Sequence, residues 1–181
     1  MNPFTIDNTW TIFVDRDGVI NHEIENGYVN TWQDFKFYEG TKNAFQLFAA
    51  TFKYIIVITN QRGVGRGITK LEDLNFVHQN MVAAITEAGG RIDGIYFCTD
   101  VEKDSPNRKP NAGMGLQAKK DFPTIDFNKV VMVGNNFSDM EFGRNIGAKT
   151  IFLSTTNPGV DPSDKRIDAV YKSLLDFAQS L

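Results

Sequence analysis

The chain has 181 residues, 41% of them hydrophobic and 23% charged, the composition of an ordinary globular protein with one buried core. Its formal net charge of -3 argues against nonspecific binding to nucleic acid, which needs an excess of Lys and Arg on one face. No apolar run reaches the length of a bilayer-spanning helix, so we expect no membrane partner. We expect a single domain over residues 1–181.

The compartment is indicated by the first residues and by cysteine usage. Residues 1–4 lack a basic flank followed by an apolar stretch, so no signal peptide is predicted. Cys98 is the single cysteine and can form neither an internal disulfide nor, alone, a zinc site. We therefore expect a cytoplasmic protein, as a monomer or a weak homo-oligomer.

Short apolar runs alternate with segments of helical spacing, which is typical of a parallel sheet covered on both faces. The predicted strands cover residues 10–14, 54–58, 95–98, 130–133 and 150–153. Amphipathic helices are predicted over residues 44–52 and 71–88, and a short last helix over residues 174–179. The sequence therefore predicts an α/β fold.

The helix starts and the longer connections are less regular. Two capping boxes are predicted, Thr69 with Glu72 and Ser138 with Glu141, the second starting a helix directly after the fourth strand. Residues 22–40, with five aromatic side chains, are long for a connection and form either a flap over the strand ends or a local hydrophobic cluster. Residues 154–165 are expected to be a surface loop.

Asp15 and Asp17 follow the first predicted strand, so both carboxylates point the same way if strand geometry continues. Ligands of open α/β sheets bind at the carboxyl ends of the strands, and a hard cation such as Mg²⁺ would relieve the repulsion of this pair. A turn or a pair of solvated charges is an equally open interpretation. A calcium-binding loop is excluded because Ile20 occupies the position that needs glycine.

Polar segments also follow the next three strands. Residues 59–67 offer a hydroxyl, two amides and a glycine-rich backbone to an oxyanion, or else form a flexible turn. Lys109 would neutralise phosphate charge, although a single lysine is more often a solvated cation. Residues 134–139 would complete a metal site, or cap a helix whose dipole Asp139 favours.

These segments, in this order, resemble the haloacid dehalogenase superfamily of phosphotransferases. The segments are residues 15–21 (Asp-Arg-Asp-Gly-Val-Ile-Asn), 59–67, 108–110 (Arg-Lys-Pro) and 134–139. Residues 27–29 (Gly-Tyr-Val) and 113–114 (Gly-Met) resemble subfamily IIIA, the branch of the heptose bisphosphate phosphatases and the related histidinol-phosphate phosphatases. The resemblance covers roughly residues 10–153 and implies a three-layer, Rossmann-like parallel sheet with helices on both faces and no large cap domain.

The resemblance implies a role for each matching residue. Asp15 would attack phosphorus to form an aspartyl-phosphate, and Asp17 would protonate the leaving alcohol and then activate water. Thr59 would bind the phosphoryl oxygens, and Lys109 would hold the nucleophile and the phosphate together. The candidate substrate contacts are Asn60, Gln61, Arg66 and Arg108.

The resemblance also implies Mg²⁺, held by Asp15, by the main-chain carbonyl of Asp17 and by Asn135 or Asp139. Asn135 stands where the family usually has aspartate, and an amide oxygen brings no negative charge to the metal. The zinc loop of three cysteines and a histidine that is common in this branch retains only Cys98, so no structural zinc is expected.

The function implied is that of a magnesium-dependent phosphomonoesterase acting on a small sugar phosphate, first of all D-glycero-D-manno-heptose 1,7-bisphosphate. Histidinol-phosphate phosphatase is the alternative within the branch. An inactive phosphosugar-binding relative is a further alternative because of Asn135. A phosphatase acting on nucleic-acid ends is disfavoured by the net negative charge.

Overall fold

The computed structural model describes residues 4–181; residues 1–3, part of the segment in which no signal peptide was predicted, lie outside it. One sheet of six parallel strands has the order β3-β2-β1-β4-β5-β6. The strands are β1 (Thr11–Val14), β2 (Tyr54–Asn60), β3 (Gly94–Cys98), β4 (Val130–Gly134), β5 (Lys149–Leu153) and β6 (Ala169–Tyr171). The predicted parallel α/β sheet is confirmed.

The helices lie on both faces of this sheet. They are α1 (Thr41–Thr51), α2 (Arg62–Gly65), α3 (Leu71–Glu87), α4 (Gly113–Asp121), α5 (Phe137–Ile146) and α6 (Leu174–Ala178), with a 3₁₀ turn at Phe127–Lys129. Side chains alternate along a strand, so Ile12 and Val14 of β1 pack with α1, α3 and α6, whereas Phe13 packs with α4 and α5. This gives the three layers that the resemblance implied, and residues 4–181 contain no inserted cap domain.

Both predicted capping boxes are wrong. Helix α3 begins after Lys70, without a side-chain cap, because the Thr69 hydroxyl donates instead to Asn30 Oδ1 at 2.6 Å. Helix α5 does begin directly after β4, but its box is formed by Asn136 and Asp139. An asparagine is as good an N-cap as a serine, which explains the shift of two residues.

Residues 22–40 combine both structures that were considered for them. Trp32 stacks on Phe35 with ring centroids 5.1 Å apart, and Phe35 meets the edge of Phe37 at 4.9 Å. This aromatic cluster packs with the main core, and Phe37 forms a β-bridge with Asn21. The preceding residues line a cavity at the strand ends. Within residues 4–181, no helix has both the length and the apolar character needed to span a bilayer.

Candidate active site

A cavity of about 540 Å³ lies at the carboxyl ends of the central strands. It brings together all the predicted site residues except Arg66. Those residues are Asp15, Asp17, Thr59, Asn60, Gln61, Arg108, Lys109, Asn135 and Asp139. The cavity is also lined by residues that the sequence did not single out, namely Glu23, Ile24, Arg62 and Lys103. The site therefore draws on segments that follow β1, β2, β3 and β4.

Lys109 lies at the centre of the site and is 3% exposed, so its interpretation as a solvated cation is wrong. Its Nζ lies 2.8 Å from Asp15 Oδ1 and 2.7 Å from Asp139 Oδ1, and it donates to the carbonyl of Ile58 at 2.7 Å. Burial works against the charged ammonium, but the two carboxylates outweigh it and raise the pKa of Lys109. One lysine thus serves two buried carboxylates.

The pKa of Asp15 reflects its burial and the sharing of Lys109 with Asp139. Burial raises the pKa of Asp15 to about 7; Lys109 opposes the rise, while the neighbouring carboxylate of Asp139 adds to it. Two carboxylates and a single ammonium leave one negative charge without a partner cation. An added cation would therefore be stabilised here.

Asn60 holds the backbone of Lys109 in place. The amide of Lys109 donates to Asn60 Oδ1 at 3.0 Å, and Asn60 Nδ2 donates to the carbonyl of Lys109 at 3.1 Å. Both ends of the Asn60 amide are thereby engaged. The structure gives this predicted substrate contact a second role, which is to position Lys109.

Asp17 is held by donors on several sides. Arg16 Nη2 donates to both of its carboxylate oxygens, at 2.8 and 2.9 Å, and Asn21 Nδ2 donates at 2.9 Å. Gln61 Nε2 donates to Asp17 at 2.8 Å and to the hydroxyl of Thr59 at 2.9 Å. Burial alone would raise the pKa of Asp17, but Arg16 and these hydrogen bonds lower it below its ordinary value.

The two candidate metal ligands in residues 134–139, Asn135 and Asp139, differ in how their oxygens are hydrogen-bonded. Asp139 pairs with Lys109 through Oδ1 and accepts from the amide of Asn136 through Oδ2 at 3.0 Å, so both of its oxygens are engaged. Asn135 Oδ1 is buried and has no hydrogen-bond partner within residues 4–181. Asn135 Nδ2 donates to the Thr156 hydroxyl at 2.9 Å. Asn135 therefore presents a free, oriented oxygen, and Asp139 does not.

The loop after β5 closes this side of the site. Besides the contact of Thr156, the Thr155 hydroxyl donates to the carbonyl of Gly18 at 2.5 Å. Gly18 has a φ of 81°, and a Cβ there would lie 2.0 Å from Asn135 Nδ2. Glycine is thus required both by the backbone angle and by the close approach of Asn135.

The donors present fit a hard divalent cation. They are the carboxylate of Asp15 and the unpaired oxygen of Asn135, and oxygen ligands are what Mg²⁺ prefers. In the described part of the chain, no three His, Cys, Asp or Glu side chains are grouped to hold a metal. Asn135 adds an amide oxygen to the carboxylate of Asp15 at this place.

The arginines predicted to contact substrate occupy different places. Arg108 is buried and donates from Nη1 to the carbonyl of Val101 while lining the cavity. Arg66 lies outside the cavity lining and donates to the hydroxyl of Tyr28 at 2.8 Å. Arg66 therefore contacts a residue that lines the cavity and not the cavity itself.

The fold and the site together define a haloacid dehalogenase-like hydrolase, and the family model described as HAD-hydrolase-like matches residues 106–177. A protein of Mycobacterium bovis is 32% identical over 170 residues, covering 93% of this chain and 90% of its own. It is named D-glycero-alpha-D-manno-heptose-1,7-bisphosphate 7-phosphatase. A Pasteurella multocida protein is 33% identical over 92% of this chain and 93% of its own, and is named for the beta anomer.

A solved structure shows the same relationship. The D,D-heptose 1,7-bisphosphate phosphatase of B. bronchiseptica, complexed with magnesium and phosphate, superimposes with a TM-score of 0.83 at 25% identity. The match covers 94% of this chain and 97% of that one. The chain belongs to the family of the D-glycero-D-manno-heptose 1,7-bisphosphate 7-phosphatases, which confirms the resemblance read from its motifs.

Proposed function

We propose that this chain removes the 7-phosphate of D-glycero-D-manno-heptose 1,7-bisphosphate. The observation that carries the proposal is the buried pairing of Asp15 with Lys109 at 2.8 Å, at a strand end that faces the cavity. A carboxylate next to a buried ammonium is placed to meet a phosphate without facing its full charge. The names of the relatives supply the substrate class.

In the first step Asp15 attacks phosphorus, the bond to the sugar oxygen breaks, and an aspartyl-phosphate forms. Lys109 and the Thr59 hydroxyl stabilise the charge on the phosphoryl oxygens. The hydrogen bonds around Asp17 favour its anion in the free chain, so Asp17 first takes up a proton from solvent and then gives it to the departing sugar oxygen, which would otherwise leave as a strongly basic alkoxide.

In the second step water attacks the phosphorus of the aspartyl-phosphate. Asp17, now an anion, takes the proton from this water, and Asp15 is released with inorganic phosphate. The hydrogen bonds from Arg16, Asn21 and Gln61 stabilise the anionic form of Asp17. These hydrogen bonds support the role of Asp17 as the base of the second step.

We propose that Mg²⁺ is held by the Asp15 carboxylate, the main-chain carbonyl of Asp17 and Asn135 Oδ1. The free oxygen of Asn135 and the uncompensated charge around Lys109 support this ligand set. When bound, the ion would supply positive charge that favours the approach of the anionic phosphate to the nucleophile. The relative that was solved with magnesium and phosphate supports the choice of Mg²⁺ as the ion.

The charge of the cavity agrees with a bisphosphate. Arg62, Lys103 and Arg108 line it in addition to Lys109, which is placed for the phosphate that reacts. Glu23 is the further carboxylate of this lining, so the three cations leave an excess of positive charge for a second phosphate. The relatives named for the alpha and the beta anomer leave both as substrates to test.

We propose a cytoplasmic location for this reaction and a monomer or weak homo-oligomer as its working form. The single, buried Cys98 is compatible with a reducing compartment. The partner is a small phosphorylated sugar, which the cavity of about 540 Å³ has room to hold.

The test is phosphate release from each anomer of the bisphosphate, with Mg²⁺ and after its removal by a chelator. Asp15→Asn is expected to lower turnover by about 10⁴-fold or more, because an amide cannot act as the nucleophile. Asp176→Asn, at an exposed carboxylate of α6, is the matched control and should turn over normally. Undiminished turnover in Asp15→Asn would remove the nucleophile, and binding without turnover would favour the inactive relative.

A further inference from the structure

Arg16 is a fully buried cation between the candidate nucleophile and the candidate acid–base. It has no exposed surface and is among the largest buried side chains. One edge of its guanidinium pairs with Asp17, through Nη2 at 2.8 and 2.9 Å and Nε at 3.2 Å. Its remaining nitrogen, Nη1, lies 3.1 Å from His78 Nε2. A buried charge needs such partners on each side.

His78 belongs to helix α3, outside every motif on which the family resemblance rests. It is 5% exposed and meets the ring of Phe97 edge-on, with centroids 5.5 Å apart. A guanidinium carries donors alone, so His78 Nε2 must accept and the ring proton must lie on Nδ1. Burial, and then the charge of Arg16, lower the pKa of His78 to about 3, which keeps the ring neutral and able to accept.

A buried histidine often contributes only packing. His78 does more than pack, because a guanidinium is planar and its nitrogens keep fixed relative positions. Holding Nη1 from the helix side sets the plane of Arg16, and that plane directs Nε and Nη2 to Asp17. Without the acceptor on His78, nothing holds Nη1, and the guanidinium plane can turn so that Nε and Nη2 move away from Asp17.

We infer that His78 is a positioning residue for phosphoryl transfer, and that it acts through Arg16 to hold the carboxylate of Asp17. The inference rests on the proposed function, which makes Asp17 the group that protonates the leaving oxygen and deprotonates water. It reaches beyond the motifs, since 62 positions separate His78 from Arg16 in the sequence.

The test compares His78→Phe, which keeps a planar ring but has no acceptor, with His78→Gln, whose Oε1 restores an acceptor near the position of Nε2. His78 and Phe97 line a surface groove of about 620 Å³, which leaves room for the phenylalanine and the glutamine that are introduced at position 78. Ile85→Ala is the matched control, because it removes buried packing from the same helix without touching Arg16.

The measurement is kcat/KM, with Mg²⁺ present, for phosphate monoesters that range from p-nitrophenyl phosphate to simple alkyl phosphates. Proton donation matters most for the basic alkoxide leaving groups. His78→Phe is expected to lower kcat/KM by about 10- to 100-fold for alkyl esters and by less than about threefold for p-nitrophenyl phosphate. His78→Gln should recover most of the loss. Ile85→Ala should lower kcat/KM by the same factor for every ester.

An equal loss across the ester series in His78→Phe, or no recovery in His78→Gln, would overturn the inference. If the wild-type chain hydrolyses none of the esters and neither anomer of the bisphosphate, the proposed function fails instead. Crystal structures then decide the positioning role by themselves. A displaced or doubly placed Asp17 carboxylate in His78→Phe supports it, and an unchanged pairing of Asp17 with Arg16 refutes it.

Discussion

Replacing Thr156 by valine tests the unusual amide in the candidate metal site. Valine keeps the shape of threonine but lacks the hydroxyl that accepts from Asn135 Nδ2 at 2.9 Å. In the wild type this bond fixes the amide so that Oδ1 is the unpaired group. In Thr156→Val the NH₂ group has no acceptor on its buried side, so the orientation that turns it toward the cavity is favoured over the one that presents Oδ1 to the cation. We therefore expect weaker binding of Mg²⁺.

The magnitude follows from the hydrogen bond that is lost. Leaving a buried amide N–H unpaired costs about 1–3 kcal/mol. Loss of a group that orients a metal ligand typically weakens the metal site by about 10- to 100-fold, which corresponds to about 1.4–2.8 kcal/mol. The two ranges agree. If the amide only sampled both orientations equally, the loss would be about twofold, or about 0.4 kcal/mol.

The assay is thermal unfolding as a function of Mg²⁺ concentration c, since an ion that binds the folded state stabilises it by RT ln(1 + c/Kd), which gives the dissociation constant Kd. Thr156→Ser retains the hydroxyl and is the control. The expected result is a dissociation constant for Mg²⁺ raised by about 10- to 100-fold in Thr156→Val and nearly unchanged in Thr156→Ser. A valine variant within about twofold of wild type would refute the reasoning.

Three further changes address charge, backbone and pH. Lys109→Met leaves two buried carboxylates without a counter-charge, and we expect urea denaturation to show a loss of about 3–5 kcal/mol. Gly18→Ala adds backbone strain of about 1–2 kcal/mol at positive φ and displaces Asn135, so Mg²⁺ affinity should also fall in the thermal titration. The pKa of His78 lies at about 3, against 6.5 for a free histidine, so between these values the unfolded chain binds more protons. The free energy of unfolding should therefore fall as the pH drops below about 6.5, by up to about 1.4 kcal/mol per pH unit, and His78→Gln should lack this component in urea denaturation.

Matched variants separate these effects from general damage. Lys172→Met removes an exposed lysine and should leave stability nearly unchanged; an equal loss there would contradict the role of Lys109. Gly67→Ala is the control for Gly18→Ala. Gly67 has a φ of 69°, but an added Cβ there meets open space, so the variant should show the backbone strain without a loss of Mg²⁺ affinity. If His78→Gln keeps the wild-type pH dependence, the buried ring of His78 is not its source.

The sequence predicted the fold where burial makes a pattern. Strands β1, β2 and β4 are covered on both faces and therefore read as continuous apolar runs. Strand β6 was missed because it has three half-buried residues at the sheet edge. Helix α4 was missed because its nine residues include two glycines and an exposed leucine, Leu116, which hide its buried face.

The candidate site could be predicted only in part, for a related reason. Its residues follow strands, which the sequence shows, but their partners come from remote segments. From the sequence alone, Lys109 fits a solvated surface charge. Its burial follows from the fold, which brings Asp15 and Asp139 to its ammonium group. Thr156 lies in what reads as a surface loop, 21 positions from the Asn135 that it orients. Such pairings depend on tertiary contact, which a single sequence does not display.

Residues 22–40 form one continuous excursion between β1 and α1, and residues 23, 24 and 27–29 of it line the cavity. The nucleophile and Lys109 are anchored to the sheet instead. One part of the cavity lining and the residues proposed for the chemistry thus lie on separate parts of the chain. Substitutions in residues 22–40 can therefore reshape that part of the cavity without moving the pairing of Asp15 with Lys109.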